Sequence, residues 1–294
     1  MNAIGRLLDP QLVESLGLLS IGARQVVEGT ATGLHRSPIK GASVEFRQHR
    51  VYTPGDEPRR IDWRLLARSD RVFVKEYDEE TNLRAVVALD ASGSMNYGRP
   101  QTKFDFATRL TAALCYLMLQ QSESAGLSVA RAGEDAWLPP SGIASQLTRI
   151  IDRLETTTAA EPTTLDSELL RVADRTDRRG LVIVISDFFL PVPRIAKSLA
   201  RLRHDRHEIV LMRLLHPDER TFPFRNWARF KGLEGEAAQL VETAAVRRTY
   251  LKNFEQHEMQ LRQAARAVGA DLLTHTIDRP LIEAVTTIVR RRVG

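Results

Sequence analysis

Short apolar strands alternate with amphipathic helices from residue 84 to the end of the chain. The runs RAVVALD at 84–90 and LVIVISD at 181–187 are nearly continuous in aliphatic residues, which is typical of strands buried on both faces. Between such runs, apolar residues recur at steps of three and four, which indicates helices packed on a sheet. The alternation predicts an α/β fold of the Rossmann-like kind, with a doubly wound, mostly parallel sheet covered on both faces.

The first 82 residues follow a different pattern. Residues 7–28 carry leucines at helical spacing, and residues 29–82 are short extended pieces broken by proline and glycine turns. We therefore predict two domains. An N-terminal extension at 1–82 holds helices and an irregular, arginine-rich α/β segment, and the sheet domain occupies 83–294, with a loop-rich insertion near 216–243.

The positive charge of the chain is concentrated in this extension. The formal net charge is +5, and the stretch from Arg36 to Lys75 has ten basic residues against five acidic ones. The acidic residues of this stretch are interspersed with its arginines. This distribution favours ion pairs between arginine and carboxylate, whereas a nucleic-acid-binding protein usually has a continuous basic surface. We expect no nucleic-acid partner.

The sequence also predicts where the protein is found. No run approaches the ~20 apolar residues that a membrane-spanning helix needs, and Asp9 and Glu14 interrupt the apolar region that a signal peptide requires. We expect a cytoplasmic protein with no membrane span. The single cysteine, Cys115, lies among apolar residues and is expected to be a core thiol.

Oxygen-bearing side chains cluster where the two strongest strands end. Asp90 and Asp187 close these strands, and the carboxyl ends of parallel strands share one crevice. Ser92 and Ser94 follow Asp90 at steps of two, so an extended loop presents one carboxylate and two hydroxyls together. Such ligands suit Mg²⁺ or Mn²⁺. The alternative is that Asp90 caps a helix and the serines are turn residues.

The number of acids in this cluster bears on its function. Two carboxylates and neutral hydroxyls balance a divalent ion and leave it able to accept another oxygen ligand, whereas three or four acids would neutralise it further. A carboxylate from another molecule is a natural last ligand. The cluster therefore favours binding of an acidic side chain.

The run LDASGSM at 89–95 resembles the metal-ion-dependent adhesion site of von Willebrand factor type A domains, whose pattern is D-x-S-x-S. The resemblance implies a von Willebrand factor A fold, a second aspartate at a strand end, matched by Asp187, and a threonine from a later loop. Leu165 and Leu169 align Thr163 with that threonine, and Thr164 is the alternative.

The segment 45–80 resembles the signature of the bacterial "domain of unknown function 58" (DUF58) family, and HPDERTFPF at 216–224 resembles that family's insertion. The resemblance implies a von Willebrand factor A domain and a MoxR-type AAA+ ATPase as partner. Many members carry N-terminal membrane helices, and this chain resembles the soluble branch. The residues on the pattern include Arg50, Tyr52, Asp56, Arg59, Asp62, Trp63 and Arg68.

The signature residues admit two interpretations. They bind the partner, or they hold the segment together, and we favour the structural interpretation for Asp62 and Trp63, because tryptophan buries well and aspartate can pair with arginine. The overall prediction is a metal-dependent protein-binding module that serves as adaptor for the ATPase or its client, not an enzyme. The alternatives are a magnesium-dependent phosphoesterase and binding through the basic 36–75 segment.

Overall fold

The structure of the protein is a computed structural model. It describes residues 5, 7–19, 44–53, 61–66, 68, 71–79, 83–133, 135–235 and 237–293. The chain divides into two compact units. The sheet unit comprises Met1–Arg24 and Leu83–Gly294, and the small unit is Gln25–Asn82.

The elements are numbered in chain order within the described residues. The strands are β1 (Val44–Val51), β2 (Phe73–Glu79), β3 (Arg84–Asp90), β4 (Ser124–Ala130), β5 (Ala136–Ser141), β6 (Leu181–Ser186), β7 (Glu208–Leu215), β8 (Trp227–Phe230), β9 (Gln239–Glu242) and β10 (Asp271–Thr276). The α-helices are α1 (Pro10–Leu16), α2 (Trp63–Leu66), α3 (Lys103–Gln120), α4 (Gln146–Thr156), α5 (Leu165–Arg175), α6 (Val192–His204), α7 (Pro217–Thr221), α8 (Thr243–Ala267) and α9 (Leu281–Val293).

A six-stranded sheet in the order β10-β7-β6-β3-β4-β5 forms the centre of the sheet unit. All neighbouring strands in it are parallel except β4 and β5, which are antiparallel. The chain runs from β3 through β4 to β5 at one edge of the sheet, and then returns to β6 on the other side of β3 and continues to β7 and β10. The direction of winding thus reverses between β3 and β6, and a crevice opens between the carboxyl ends of these two strands. The predicted doubly wound, mostly parallel α/β fold is confirmed.

Helices cover both faces of the sheet. Ala85, Val87 and Leu89 of β3 pack in one core with residues of α1, α3, α4 and α9. Val86 and Ala88 pack in the other core with residues of α5, α6 and α8. Because successive side chains of a strand point to opposite faces, one continuous apolar run contributes to both cores.

The first helix belongs to the sheet unit. Leu12 and Leu16 of α1 are buried in the core that also holds α3. Asp9 accepts a hydrogen bond from the Leu12 amide at 2.8 Å and so caps the helix. Its other carboxylate oxygen pairs with Arg109 of α3 at 2.8 Å. Helix α1 therefore packs with residues 83–294, although the sequence pattern grouped it with the rest of residues 1–82.

Residues 216–242, between β7 and α8, form the insertion. Its first turn is a capping box: Glu219 accepts a hydrogen bond from the His216 amide at 2.7 Å, and the His216 ring accepts one from the Asp218 amide at 3.2 Å. After α7, β8 and β9 pair as an antiparallel hairpin. The segment is rich in loops, as predicted, but it also contains this hairpin, whose strands of four residues each are too short to give a clear periodic signal.

The small unit is built on the antiparallel pair β1 and β2. Ile61 forms an isolated bridge with Val74, and the amide of Asp62 donates a hydrogen bond to the carbonyl of Phe73 at 2.9 Å. The described part of this unit is thus irregular and contains strands, as the sequence predicts.

Candidate metal centre

Asp90, the last residue of β3, is 1% exposed. One of its carboxylate oxygens accepts a hydrogen bond from the Ser92 amide at 3.0 Å, and the other accepts one from Ser186 Oγ at 2.7 Å. Burial, together with the nearby charge of Asp187, raises the pKa of Asp90 to about 6. A cation beside this carboxylate would favour its ionised form.

The turn after β3 brings two hydroxyls next to each other. Ser92 is buried, and its Oγ lies 3.2 Å from Oγ of Ser94. Both residues belong to the start of a short 3₁₀ turn, Gly93–Asn96, with Ser92 at its N-cap. The side chain of Met95 is fully buried below the turn. The two hydroxyls are therefore held by main-chain geometry and by a core side chain.

The loop before α5 is tied to this turn through the main chain. The amide of Gly93 donates a hydrogen bond to the carbonyl of Glu161 at 2.8 Å. The amide of Ala160 donates one to the carbonyl of Ala91 at 3.0 Å. Residues far apart in sequence are brought together by these two bonds, which place the loop beside Asp90.

Thr163 is the threonine of this loop that faces Asp90. Its Oγ1 lies 3.3 Å and 3.4 Å from the two carboxylate oxygens of Asp90, and it also accepts a hydrogen bond from the Leu165 amide at 3.2 Å. The hydroxyl of Thr164 is buried and has no hydrogen-bond partner among the described residues. Of the two predicted threonines, Thr163 is the one whose hydroxyl contacts Asp90.

Asp187 directly follows β6, and its carboxylate is occupied by other groups. Oδ2 pairs with Nζ of Lys103 at 2.7 Å, and Oδ1 accepts a hydrogen bond from the Phe189 amide at 3.1 Å. Lys103 is fully buried at the start of α3 and makes a second ion pair, with Glu219 of α7, at 2.5 Å. Asp187 is close enough to raise the pKa of Asp90, but its two oxygens bind a lysine and an amide.

These contacts change the predicted charge balance of the site. The sequence-based balance counted Asp90 and Asp187 and omitted Lys103 and Glu219. Burial alone would lower the pKa of Lys103, but the charges of Asp187 and Glu219 outweigh it and raise that pKa. The lysine is therefore held as an ammonium. When Asp90, Asp187, Glu219 and Lys103 are ionised, they carry a net charge of −2. The buried Arg213 behind Asp187 adds one positive charge and Glu258, 4.0 Å from it, one negative charge, so a divalent cation would balance the set.

A second buried cation lies behind Asp187. Arg213 of β7 is fully buried, and its Nε donates a hydrogen bond to the carbonyl of Asp187 at 3.2 Å. Its guanidinium lies 5.8 Å from the ring centroid of Phe189, and Nζ of Lys103 lies 5.1 Å from the same centroid. The ring of Phe189 can therefore stabilise both buried cations.

The donor atoms fit a hard cation. The oxygens of Asp90, Ser92, Ser94 and Thr163 gather at the crevice between β3 and β6, and oxygen-only sets of this kind suit Mg²⁺ or Mn²⁺. Within the described ranges, no group of three or more histidine, cysteine, aspartate or glutamate side chains is arranged to hold a metal ion. A metal centre at this position therefore depends on hydroxyl ligands. The negative charge of Asp187 would be partly neutralised by its ion pair with Lys103.

Sequence reasoning missed several residues of this site, among them Ser186, Lys103 and Glu219. Ser186 is the last residue of an otherwise aliphatic strand, and a single polar residue at that position indicates a buried hydrogen-bond partner. Lys103 lies in the first turn of α3, where the helix dipole disfavours a positive charge. A lysine at this position therefore indicates an acidic partner that compensates for the dipole. Glu219 gave no such signal, because the capping box explains its position equally well.

A cavity of about 520 Å³ opens between the candidate metal centre and the insertion. Its polar lining includes Ser94, Glu219 and Glu234. Aromatic side chains of α8, the insertion and the loop after β6 form most of the remaining wall, namely Phe189, Phe222, Phe224, Phe230 and Tyr250. The cavity thus adjoins one of the candidate ligands.

The predicted signature residues that the structure describes lie in the small unit. Arg50 donates a hydrogen bond from Nη1 to Oγ1 of Thr53 at 2.6 Å. Tyr52, which follows β1, is partly buried. Asp56 and Arg59 lie outside the described residues.

Asp62 and Trp63 differ in how they are used. Oδ1 of Asp62 accepts a hydrogen bond from the Leu65 amide at 3.1 Å, so Asp62 has a structural role at the start of α2. Trp63 is 64% exposed, and the expectation that its ring is buried is wrong. Arg68 is also exposed. Because the outer residues of a one-turn helix have little to pack against, the ring remains at the surface of the chain.

The single cysteine is a core residue, as predicted. Cys115 lies on α3 and is fully buried in the core between that helix and the sheet. Burial raises the pKa of its thiol to about 12, because a thiolate would lose its hydration there. At neutral pH the thiol is therefore protonated and unreactive.

Comparison with known proteins identifies the family. A family model described as "Protein of unknown function DUF58" matches residues 48–260, which is more than half of the chain. The chain belongs to the DUF58 family. The matched range includes part of the small unit, the D-x-S-x-S turn and the insertion.

Curated relatives of this DUF58 chain that have a similar length exist in mycobacteria. Proteins of Mycobacterium tuberculosis and Mycobacterium bovis, each named as an uncharacterized protein, are 27% identical to this chain over 301 residues. The match covers 99% of this chain and 93% of each relative.

Solved structures similar to this DUF58 chain include one that is named a VWA domain. BatB from Bacteroides thetaiotaomicron is 13% identical, with a TM-score of 0.49, over 72% of this chain and 98% of BatB. An aerotolerance-related membrane protein from Bacteroides fragilis is 14% identical, with a TM-score of 0.49, over 71% and 99% of the two chains. The SpRpn10 VWA domain is 11% identical, with a TM-score of 0.43, over 70% and 95%.

The expected cytoplasmic location is contradicted by these comparisons. The Bacteroides fragilis protein is named a membrane protein, and a similar chain from Vibrio fischeri, with a TM-score of 0.23, is named a membrane-spanning protein. Among the helices of the described ranges, none has both the length and the apolar character needed to cross a bilayer. The names of these two neighbours contradict the predicted cytoplasmic location, and the lack of a spanning helix among the described residues does not restore it.

Proposed function

We propose that this DUF58 protein is a metal-dependent protein-binding module and not an enzyme, and that it serves as adaptor for a MoxR-type AAA+ ATPase. One observation carries the proposal. The oxygens of Asp90, Ser92 and Thr163 meet at the carboxyl ends of the central strands, next to Ser94. This is the edge of a doubly wound sheet at which ligands bind.

The residues of the site would each have a distinct task. Asp90 supplies a buried charge, and Ser92, Ser94 and Thr163 supply neutral oxygens fixed by the turn and the loop before α5. When bound there, Mg²⁺ or Mn²⁺ would supply an electrophilic position for an oxygen from another molecule. An aspartate or glutamate side chain of a partner protein is the ligand that such a position favours.

The serine hydroxyls of the D-x-S-x-S turn lack the histidine base of a serine hydrolase within the described residues. A nucleophilic serine needs a base within hydrogen-bond reach. Ser92 Oγ and Ser94 Oγ contact each other, and in the described part of the chain no histidine side chain is hydrogen-bonded to either. The arrangement therefore gives no support to hydrolysis through a serine nucleophile. The choice of a MoxR-type ATPase as partner rests on the family resemblance.

The test is co-purification of the full chain with the MoxR-type ATPase of the same organism, in Mg²⁺ and in EDTA. We expect retention in Mg²⁺ for wild type and for the exposed control Ser145→Ala, and a loss of at least about tenfold for Ser92→Ala and Ser94→Ala. Circular dichroism would first establish that all four proteins are folded. Equal retention by all of them, with or without EDTA, would contradict the proposal.

A further inference from the structure

The insertion reaches over the candidate metal centre. Residues 231–235, which follow β8 and which we call the cover turn, contact the D-x-S-x-S turn directly. The amide of Ser94 donates a hydrogen bond to Oε1 of Glu234 at 3.3 Å, across 140 positions of sequence. A carboxylate of the chain itself therefore lies on the residue whose hydroxyl is a candidate metal ligand.

Gly93 permits this approach. A Cβ built on Gly93 would lie 2.0 Å from the main-chain oxygen of Leu233 and 3.2 Å from Cγ of Glu234. The first distance is far below any real contact, and a main-chain atom cannot swing aside as a flexible side chain can. The cover turn therefore rests on the residue between the two candidate hydroxyls, and any side chain at position 93 would displace it.

The cover turn also has room to move. Lys231, Leu233 and Glu234 line the 520 Å³ cavity that separates the turn from Phe189 and Tyr250. Leu233 is 41% exposed. A segment with a cavity on one side and solvent on the other loses few packing contacts when it shifts.

The chemistry of Glu234 matches that of the ligand proposed for the partner. We propose that Glu234 is an internal competitor for the position at which a partner's acidic side chain binds, so that the cover turn must be displaced before a partner is captured. This inference rests on the proposed function, because it requires the metal centre. It adds a regulatory role for the insertion: the site is closed by its own chain until a partner carboxylate replaces Glu234.

The test uses the full chain loaded with Mn²⁺, followed by water-proton relaxation, which reports the water molecules bound to the ion. Glu234→Gln removes the competing charge, and Gly93→Ala displaces the cover turn by steric contact. We expect both variants to raise the relaxation enhancement per bound Mn²⁺ by roughly 1.5-fold, since Mn²⁺ fills a vacated position with water. Free acetate, as a probe for a partner carboxylate, should lower the signal at several-fold lower concentration in these variants than in wild type.

Two matched controls accompany these variants. Glu242→Gln removes an exposed carboxylate on the same hairpin, and Gly142→Ala adds a Cβ at an ordinary 3.5 Å from its nearest neighbour. Both should behave as wild type. A purely structural role of Glu234 would lower the melting temperature without changing the relaxation signal or the acetate response.

The outcomes separate this inference from the function on which it rests. If wild type binds Mn²⁺ and Asp90→Ala does not, but Glu234→Gln and Gly93→Ala relax water and respond to acetate as wild type does, the internal competitor is overturned and the metal centre stands. If folded wild type binds no Mn²⁺, the metal centre fails and the competitor fails with it.

Discussion

Asp90 is a buried carboxylate, and among the described residues no cationic side chain forms an ion pair with it. The ammonium of Lys103 pairs with Asp187 and Glu219, whereas Asp90 receives hydrogen bonds from the Ser92 amide and from a serine hydroxyl. Hydrogen bonds of this kind offset only part of the cost of burying a charge. A divalent cation would remove that cost, and this links the electrostatics of the residue to the proposed function.

The raised pKa of Asp90 predicts a pH dependence of stability in EDTA. The folded-state pKa of about 6 lies above the ordinary value of 3.8, so the native state binds more protons between these values. The resulting stabilisation is complete below about pH 4 and is lost as the pH rises through 6, by roughly 3 kcal/mol in total. In Asp90→Asn this loss should be absent.

Urea unfolding between pH 4 and pH 7 measures this difference. Saturating Mg²⁺ should restore stability at pH 7 in wild type but not in Asp90→Asn, because only the ionised carboxylate attracts the ion. Parallel pH profiles of the two proteins would show that Asp90 does not carry the buried charge.

Lys103 is predicted to be essential for stability. Lys103→Met keeps an unbranched side chain of similar shape and removes the ammonium, which leaves the buried Asp187 and the largely buried Glu219 without their ion-pair partner. We expect a loss of about 3 to 5 kcal/mol in unfolding free energy in EDTA, with partial recovery in Mg²⁺. The exposed Lys197→Met is the control and should be neutral. A Lys103→Met protein as stable as wild type would contradict the assignment.

At the scale of elements, the site is assembled where five segments meet. The ends of β3 and β6 supply Asp90 and Asp187, the start of α3 supplies Lys103, the loop before α5 supplies Thr163, and the insertion supplies Glu219. The sequence predicted the strand ends, because an apolar run that stops at an acid is visible locally. It did not predict the contacts of Lys103, Glu219 and Glu234, because these depend on which loops pack across the sheet edge.

The two threonines before α5 give a prediction for that loop. Thr163→Val should weaken Mn²⁺ binding about tenfold, because the hydroxyl that faces Asp90 is lost while the shape is kept. Thr164→Val should leave Mn²⁺ binding unchanged, since its hydroxyl has no hydrogen-bond partner in the described part of the chain. Calorimetric titration of both variants measures this, and the opposite pattern would transfer the ligand role to Thr164.

At the scale of the whole molecule, the sheet unit is made from two stretches of chain. The core of α3 and α9 is completed by Leu8, Leu12 and Leu16 near the N-terminus. The sequence pattern predicted helix α1 but not the helices against which it packs. The spacing of its leucines shows which face of the helix is buried, and it does not show which part of the protein covers that face. The alternation of strands and helices, in contrast, was sufficient to predict the layers of the sheet unit.

This organisation predicts that residues 25–82 can be excised. The carbonyl of Leu19 accepts a hydrogen bond from Gln121, and the carbonyl of Leu83 accepts one from Ser124, so the described residues that flank the segment, Leu19 and Leu83, lie near the same turn. A chain with a short glycine-serine linker in place of residues 25–82 should fold and keep its Mn²⁺ binding.

Removal of residues 1–82 is the matched comparison for this excision. It also removes the leucines of α1, and we expect this chain to lose several kcal/mol of stability, in proportion to the buried side chains removed. Thermal unfolding of the two chains compares them directly. Equal stability of both would show that α1 does not contribute to the core.

The central claim is that hydroxyl and carboxylate oxygens at the ends of β3 and β6 bind a divalent cation. Isothermal titration calorimetry of the folded full chain with Mn²⁺ tests it most directly. We expect one-site binding by wild type and by Ser145→Ala, and a loss of at least about tenfold in affinity for Ser92→Ala combined with Ser94→Ala. Absence of Mn²⁺ binding by the folded wild type, or equal affinity in the double variant, would contradict it.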